Sequence, residues 1–299
     1  MTHPRSKPRS GFTLVELVTV VFVVTILLVL LAPSIQKAQQ DARLDTCKYH
    51  LKQIGLALHN YNDVHATMPP GWTGHHPGPG EGGRYGWSMF LTPYVDEGPI
   101  YKRVNFSDQK PGQAQETRTA LTVFRCPSDT TAAQNSMRGG FGTSNYSGNF
   151  GMVAAPRWLA SGLSTHWPGQ APTPIRTDGI FWLNSSCRFR DITDGTSNTF
   201  MVGERAVSSA AGIWMGVRGN NFESDQVTDC SPGNEINSGI ASFSSSHKGG
   251  AVFLMCDGSV RFIAENIESG MENSGRRNLQ PKTFQRLGSR HDNLPIGEF

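Results

Sequence analysis

The residue with the clearest chemical signal is Glu16, a carboxylate inside a run that is otherwise almost entirely apolar. Residues 12–32 form this run, and three threonines are its only other polar members. A carboxylate well inside a membrane helix costs about 2.5–3.5 kcal/mol, and ionisable residues in that setting are functional candidates by default. A plain membrane anchor leaves Glu16 unexplained, so we predict that Glu16 has a functional role.

The apolar run has the length of a membrane-spanning helix. Its 21 residues span roughly 30 Å at about 1.5 Å per residue, which is the thickness of the hydrocarbon core of a bilayer. The apolar region of a secretory signal peptide is shorter, roughly 7–15 residues, and ends at an A-x-A site that this sequence lacks. Arg5, Lys7 and Arg9 precede the run without any acid, which favours a cytoplasmic N-terminus.

Residues 11–17, Gly-Phe-Thr-Leu-Val-Glu-Leu, resemble the type IV prepilin signature of a basic leader, a glycine, an aromatic residue and a glutamate. The resemblance implies that prepilin peptidase cleaves after Gly11 and methylates the new amine of Phe12. It also implies that Glu16 neutralises the N-terminal amine of a neighbouring subunit when such helices pack in a filament. Pro33 lies where pilin helices often carry a kinking proline.

An apolar stripe continues beyond the membrane run, at spacings of 3, 4, 3 and 4 residues. Its members are Leu44, Cys47, Leu51, Ile54 and Leu58. This spacing is typical of one helix face, and the stripe is too short for a coiled coil. We therefore expect it to pack against the globular part of the same chain. Prolines at 69 and 70 end the helical pattern.

A second resemblance lies near the C-terminus, where His247 is followed by nine residues and then Asp257-Gly258. This H-x9-DG pattern resembles a prepilin-like family (DUF1559-type) that is greatly expanded in planctomycete bacteria. Other segments match that family in the same order, namely TCKYHLKQIGLALHNYND, MPPGW, RCPSD, SNYSGNFG and DGTSNTFMVGE. Lys48-Tyr49-His50 replaces the family's more usual Asn-rich triplet. The resemblance extends over residues 11–263.

The same C-terminal segment predicts a β-hairpin. Residues 251–256 form a continuous apolar run, as expected of a buried strand. Asp257-Gly258 predicts a type I′ turn, which requires positive φ at both central residues. The returning strand would place Val260 and Phe262 on one face and Arg261 on the other.

The remaining segments predict short elements joined by loops. We expect a Gly/Pro-rich loop at 71–86, a short helical element at 87–97, a strand at 121–126, turn-rich segments at 144–151 and 191–204, and a strand from 199 to 202. The predicted fold class is α+β, with a long N-terminal helix packed on a loop-rich, mainly antiparallel β head of the pilin type. The predicted organisation is a leader (1–11), a transmembrane helix (12–33), its amphipathic extension (34–63), a globular head (64–270) and a C-terminal tail (271–299).

Five cysteines could form disulfides, since the head is predicted to be exported. They show neither a C-x-x-C motif nor the spacing of zinc ligands. Cys256 lies in the apolar run and is predicted to be free and buried. Several pairings of the others are open, and our hypothesis joins Cys47 to Cys126 and Cys187 to Cys230. The first pair is supported by the family-like motifs around both residues.

Oxygen-bearing side chains cluster in one loop and could bind a cation. They are Asp191, Asp194, Ser197, Asn198 and Glu204. Such ligands suit Ca²⁺, and the secretion pseudopilins that the sequence resembles use calcium to hold a C-terminal loop. The spacing does not fit an EF-hand, and turn geometry alone would also explain these residue types. Calcium, with Asp191, Asp194 and Glu204 as ligands, is the one cofactor hypothesis that the sequence suggests.

No enzyme signature is present, because the sequence lacks G-x-S-x-G, H-E-x-x-H and a Walker loop. An aspartate in Asp257-Gly258 is explained by turn geometry, which leaves His247 without a catalytic partner. The net charge is only +3, and the 27 basic residues are spread over 299 positions, so nothing indicates a nucleic-acid surface. We therefore predict no catalytic residues, and the sequence gives no firm nucleic-acid signal.

The combined prediction is a pilin-like structural subunit. Prepilin peptidase would process it, and other pilin-like subunits would assemble with it into a type II secretion pseudopilus or a type IV pilus-like fibre. It would cross the cytoplasmic (inner) membrane once, with the C-terminal head exported. The alternative is a membrane-tethered module that never polymerises and binds a surface ligand or DNA.

Overall fold

The computed structural model describes residues 13–74, 84–104, 106, 115–152, 177–206, 211–217, 225–239, 242–273, 279–297 and 299. Contacts divide the chain into two units, Met1–Arg43 and Leu44–Phe299. The α-helices among the described residues are α1 (Leu14–His65), α2 (Trp87–Leu91), α3 (Gly98–Arg103) and α4 (Thr283–Gly288). Short 3₁₀ turns lie between them.

The described strands are short, and all of them lie in the second unit. They are β1 (Arg84–Tyr85), β2 (Gln134–Asn135), β3 (Phe141–Ser144), β4 (Tyr146–Gly151), β5 (Phe200–Glu204), β6 (Gly212–Ile213), β7 (Gly216–Val217), β8 (Val227–Asp229), β9 (Gly250–Met255), β10 (Val260–Ala264), β11 (Met271–Asn273) and β12 (Leu279–Pro281). The largest sheet, called the central sheet below, has the order β10-β9-β5-β4-β8. Only its β4–β8 pair is parallel, which confirms the predicted α+β class with a mainly antiparallel head.

The first part of helix α1 carries the predicted apolar run. It is the one helix among the described residues that is long and apolar enough to cross a membrane. Two of the threonines within it hydrogen-bond to the backbone one turn earlier, Thr19 to the carbonyl of Val15 (3.0 Å) and Thr25 to that of Val21 (2.8 Å). These bonds satisfy the hydroxyls without water, so threonine is compatible with an apolar environment here. Pro33 lies inside the helix.

The later part of helix α1 packs in the second unit through the predicted apolar stripe. Cys47, Leu51, Ile54 and Leu58 are buried. A methyl group added at Gly55 would lie 2.7 Å from Leu254 Cδ1 on β9. The helix therefore approaches the central sheet closely along this face.

Strand β9 explains why the run at 251–256 is apolar throughout. Val252 and Leu254 belong to a core cluster that includes the buried face of α1. Ala251, Phe253 and Met255 belong to a second cluster that includes helix α4. Because successive side chains of a strand point to opposite faces, both faces of β9 are covered and neither tolerates polar residues.

Residues 271–299, which we expected to be a tail, are part of the second unit. They contain β11, β12 and α4, and Phe284 and Leu287 of α4 are fully buried. A buried amide of the central sheet, Asn149 Nδ2, donates to the carbonyl of Gly288 (2.8 Å). The expected tail is thus part of the packed second unit, because Phe284 packs against Phe200 and Phe253 of distant strands.

Two local predictions were also wrong. The expected strand at 121–126 contains a 3₁₀ turn, Thr122–Phe124, which buries both Leu121 and Phe124 at a spacing of three residues. The segment 144–151, expected to be turn-rich, includes β4, which lies between β5 and β8 in the central sheet. Its polar residues are tolerated there because Asn149 also donates to the carbonyl of Phe200 (2.8 Å) and thus satisfies its buried amide.

The predicted hairpin exists, but its turn differs from the expected type. Of the two turn residues only Gly258 has a positive φ, 81°. The amide of Gly258 donates to the carbonyl of Met255 (3.0 Å), and the amide of Met255 donates to that of Ser259 (2.8 Å). This is a type I turn with a G1 bulge, which needs one left-handed residue instead of two.

Because His50 on α1 is buried, we predict that the protein loses stability in acid. His50 Nδ1 donates to the carbonyl of Arg125 (2.7 Å), and burial lowers the pKa of His50 below its ordinary value of 6.5 although this bond opposes the shift. Below about pH 6.5, His50 of the unfolded chain therefore takes up a proton, whereas burial keeps His50 of the folded chain neutral. The free energy of unfolding consequently falls as the pH falls through the lowered pKa of the folded state. Unfolding by urea at pH 7.5 and 5.5 measures the effect.

His50→Asn is the matched variant, because its amide can still donate to the carbonyl of Arg125 but does not titrate. We expect the difference between the two pH values to shrink in this variant. An unchanged difference would show that other groups cause the acid sensitivity.

Candidate functional site

A disulfide between Cys47 and Cys126 lies at the meeting point of several distant segments, and its Cα atoms are 5.2 Å apart. Cys47 comes from the buried face of α1, and Cys126 follows the turn Thr122–Phe124. The first of the two hypothesised pairs is therefore a disulfide in this structure. Its presence suits a protein domain that is exported to an oxidising compartment.

The second hypothesised pair does not form. Cys187 and Cys230 are both free and buried, and they belong to different core clusters. Cys256 is free and buried, as we expected. Burial raises the pKa of the Cys187 thiol to about 11 and also raises those of the Cys230 and Cys256 thiols, so all three are un-ionised and poor nucleophiles at neutral pH.

His247 and Glu204 lie beside the disulfide. The Nε2 atom of His247 is 3.5 Å from Cys126 Sγ and 3.5 Å from Glu204 Oε1. The side chains of His247 and Glu204 are only 7% and 2% exposed. The backbone amide of Val252 donates to Glu204 Oε2 (2.9 Å), whereas Oε1 has no hydrogen-bond partner. A carboxylate so deeply buried is costly unless it is paired, and His247 is the group that faces it.

Backbone and amide contacts hold this site together. Asn145 Oδ1 accepts from the amide of Cys126 (3.1 Å), and Asn145 Nδ2 donates to Asp129 Oδ2 (2.8 Å). The amide of Ser244 donates to the carbonyl of Glu204 (3.0 Å). The segments RCPSD, SNYSGNFG, MVGE and SSSH, which are far apart in sequence, thus converge here. Sequence reasoning missed the proximity of Glu204 and His247, since no local pattern joins positions 204 and 247.

The two ends of the H-x9-DG pattern lie at opposite ends of β9. This strand has six residues, which span about 20 Å. His247 lies near Cys47 on helix α1, and Gly258 lies near His59 on the same helix. Twelve residues separate these helical positions, a rise of about 18 Å. The structure therefore places His247 and Asp257 far apart, at opposite ends of β9. The spacing of nine residues in the pattern corresponds to the length of strand that lies along α1.

The hairpin turn that contains Asp257 and Gly258 leads to a prediction about stability. Lys52 Nζ donates to the carbonyl of Gly258 (2.7 Å), and Asp257 Oδ1 accepts from the amide of Ser259 (2.7 Å). Gly258→Ala is expected to lower the free energy of unfolding by about 1–2 kcal/mol, because a left-handed conformation is strained for any residue with a Cβ atom. Thermal or urea unfolding measures the loss.

Gly98→Ala is the control, since Gly98 lies in helix α3 with open space around its Cβ position. It should be neutral or slightly stabilising. Equal losses in the two variants would show that the conformation of Gly258 is not the cause.

The predicted calcium ligands do not come together. Asp191 Oδ2 accepts from the amide of Arg188 (2.9 Å), and Asp194 accepts from two amides of the C-terminal segment. Glu204 faces His247 instead. Among the described residues, the one group whose ligand atoms converge well enough for a metal consists of Cys47, Cys126, Glu204 and His247. The acids of the 191–204 loop thus serve hydrogen bonds within the protein.

Asp194 fixes the C-terminal segment by hydrogen bonds to its backbone. Its two oxygens accept from the amides of Asp292 (2.6 Å) and Asn293 (2.8 Å). Asp194→Ala is expected to cost about 2 kcal/mol, since hydrogen bonds to charged groups contribute about 1.5–3 kcal/mol each and these are partly exposed. Hydrogen exchange at residues 292–293 should accelerate, whereas Asp191→Ala should leave it unchanged. Unchanged exchange in the Asp194 variant would contradict the assignment.

At the N-terminus, Gly11 and Phe12 lie outside the described residues. Glu16 Oε2 accepts from the amide (2.9 Å) and the hydroxyl (2.8 Å) of Thr13, and Thr13 Oγ1 accepts from the amide of Glu16 (3.3 Å). This is a capping box at the start of α1, where the helix dipole also favours a negative charge. Sequence reasoning missed it, although Thr-x-x-Glu is the recognised pattern for such a cap.

A processing motif at the start of a long apolar helix, with an α+β head after it, defines a class of membrane-anchored, prepilin-like proteins. Residues 6–32 match the model of the prokaryotic N-terminal methylation motif, which implies processing by prepilin peptidase. Residues 36–270 match the model described as a protein of unknown function (DUF1559). The chain belongs to this DUF1559 family, and neither matched model describes an enzyme. The comparison with curated proteins finds no match, and the comparison with solved structures finds none either.

Proposed function

We propose that this protein is a pilin-like structural subunit that assembles through its N-terminal helix into a type II secretion pseudopilus or a type IV pilus-like fibre. Prepilin peptidase would cleave after Gly11 and methylate Phe12. The observation that supports this most is Glu16, a carboxylate at the start of an apolar helix within the matched methylation motif.

The capping contacts of Glu16 are compatible with pairing between subunits. Both contacts from Thr13 use Oε2, and an ionised carboxylate has about four acceptor sites on its two oxygens. The methylated amine of a neighbouring subunit's Phe12 is a cation that the same carboxylate can bind. In the single chain the cap holds Glu16 at the start of the helix.

The topology that we propose is one crossing of the cytoplasmic membrane with the head exported. Arg5, Lys7 and Arg9 favour a cytoplasmic N-terminus before cleavage, and the disulfide of the head suits an oxidising compartment. Cysteine labelling distinguishes the orientations, since an impermeant thiol reagent should modify a cysteine introduced at the exposed Tyr49 in intact spheroplasts.

Mass spectrometry of the mature protein tests the processing step. We expect an N-terminal peptide that begins at Phe12 and carries one additional methyl group. Deletion of the host's prepilin peptidase should restore the peptide that begins before Gly11. A mature protein that keeps residues 1–11 in the presence of the peptidase would overturn the proposal.

A further inference from the structure

The site beside the disulfide contains four side chains that bind transition metals. The sulfur atoms of Cys47 and Cys126, a carboxylate oxygen of Glu204 and an imidazole nitrogen of His247 all lie within 4.8 Å of one another. Ligand atoms around a tetrahedral zinc ion, at about 2.0–2.3 Å from it, are roughly 3.3–3.8 Å apart. His247 Nε2 lies 3.5 Å from both Cys126 Sγ and Glu204 Oε1, which is within this range, whereas the two sulfurs are covalently bonded and must move apart when that bond is reduced.

Glu204 gives a second, independent indication of a ligand. Its side chain is 2% exposed, and the amide of Val252 fixes Oε2. The remaining oxygen, Oε1, accepts no hydrogen bond and lies on the side of His247, 3.5 Å from Nε2. A buried carboxylate whose first oxygen is held by a hydrogen bond, and whose second accepts none and faces an imidazole nitrogen, is oriented as metal-ligating carboxylates are.

We propose that the reduced protein binds one zinc ion at this place, through Sγ of Cys47, Sγ of Cys126, Nε2 of His247 and Oε1 of Glu204. Two thiolates, one imidazole and one carboxylate form a ligand set that suits zinc, whereas calcium requires six to eight oxygens. All four positions come from the protein and the site is buried, so the zinc is structural and not catalytic.

The metal and the disulfide exclude each other, because two sulfurs that share a covalent bond cannot both be thiolate ligands. A dithiol reductant supplies two electrons and two protons, the S–S bond breaks, and the reductant itself becomes a disulfide. Zinc then binds the two sulfurs as both thiols release their protons to solvent. In either state the site ties helix α1 to the segment after Thr122–Phe124, by a covalent bond or by the ion.

Cobalt substitution of the full-length protein in detergent tests this proposal. The reduced protein, loaded with Co²⁺, should show thiolate-to-cobalt charge-transfer absorption and tetrahedral d–d bands, which one equivalent of Zn²⁺ abolishes. The oxidised protein should show neither. Cys126→Ser and His247→Ala should weaken zinc binding by more than about 100-fold, beyond what the loss of an outer-shell partner costs.

Cys256→Ala is the matched control, since it removes a buried free cysteine that does not belong to the ligand group. It should bind cobalt and zinc as the wild type does. Glu204→Gln keeps the shape of the side chain, and circular dichroism shows whether it folds. This variant should shift the d–d bands while the thiolate absorption remains.

Three outcomes would overturn the proposal. The first is less than one equivalent of bound metal in the reduced protein. The second is a loss of zinc binding in Cys256→Ala as large as the loss in Cys126→Ser and His247→Ala. The third is that the cobalt spectra of Glu204→Gln and His247→Ala match the spectrum of the wild type. This test is independent of filament assembly, because it reads metal binding in single detergent-solubilised chains.

Discussion

Cys126→Ala is expected to lower the free energy of unfolding of the oxidised protein by about 4 kcal/mol. The disulfide joins residues 79 positions apart, and the chain-entropy model gives about 4.5 kcal/mol for a loop of this length. Folded domains have only about 5–15 kcal/mol of stability, so much of the head's stability depends on this bond. Urea unfolding followed by tryptophan fluorescence measures the loss, because Trp72, Trp87 and Trp214 are buried.

The double variant provides the internal control. Cys47→Ala, Cys126→Ala and the two together should cost nearly the same, since each change breaks the same bond and the effects cannot add. The measurements are made with a chelator, so that zinc does not stabilise any reduced fraction. A double variant that loses the sum of the two single losses would show that the sulfurs act separately and that the disulfide does not form.

Glu16→Ala is expected to abolish fibre assembly while leaving membrane insertion intact. If the carboxylate pairs with a neighbour's amine, its removal leaves a buried amine without a partner, which costs about 3–5 kcal/mol. A penalty of this size at each subunit would lower the assembled fraction by about 100-fold or more. Insertion should not suffer, because the variant removes a charge from the apolar helix. Immunoblots of sheared-fibre and membrane fractions measure both quantities.

Thr13→Ala separates this role of Glu16 from capping. It removes the hydroxyl of the capping box and should cost only about 1 kcal/mol of helix stability, with assembly largely retained. If Glu16→Ala assembled as the wild type does, the pairing between subunits would be refuted. The protein would then be a tethered module that does not polymerise.

The sequence predicted the N-terminal helix well because its determinants are local. Apolar residues in an unbroken run, and then a stripe at spacings of three and four, specify a helix and its buried face without reference to the rest of the chain. The hairpin from β9 to β10 was predictable for the same reason. Even there the turn type was wrong, because Asp-Gly also occurs in a type I turn with a G1 bulge, where only Gly258 needs a positive φ.

The predictions failed where packing overrides local preference. Ser147, Gly148 and Asn149 are typical turn residues, yet they form a central strand. A Cβ atom at Gly148 would lie 2.6 Å from Phe181, so the small residue there allows close packing and not a turn. The amide of Asn149 binds carbonyls of two segments that lie far from it in sequence, and no window of local sequence contains that information.

The sequence by itself therefore determined the long apolar helix, the processing motif and the position of Glu16, because contiguous residues specify all three. Only the tertiary structure decided which cysteines pair and what His247 faces. Cys47, Cys126, Glu204 and His247 come from four segments of the chain and carry no shared spacing. Their proximity results from the packing of α1 against β9 and from the order of strands in the central sheet, both of which are set by long-range burial.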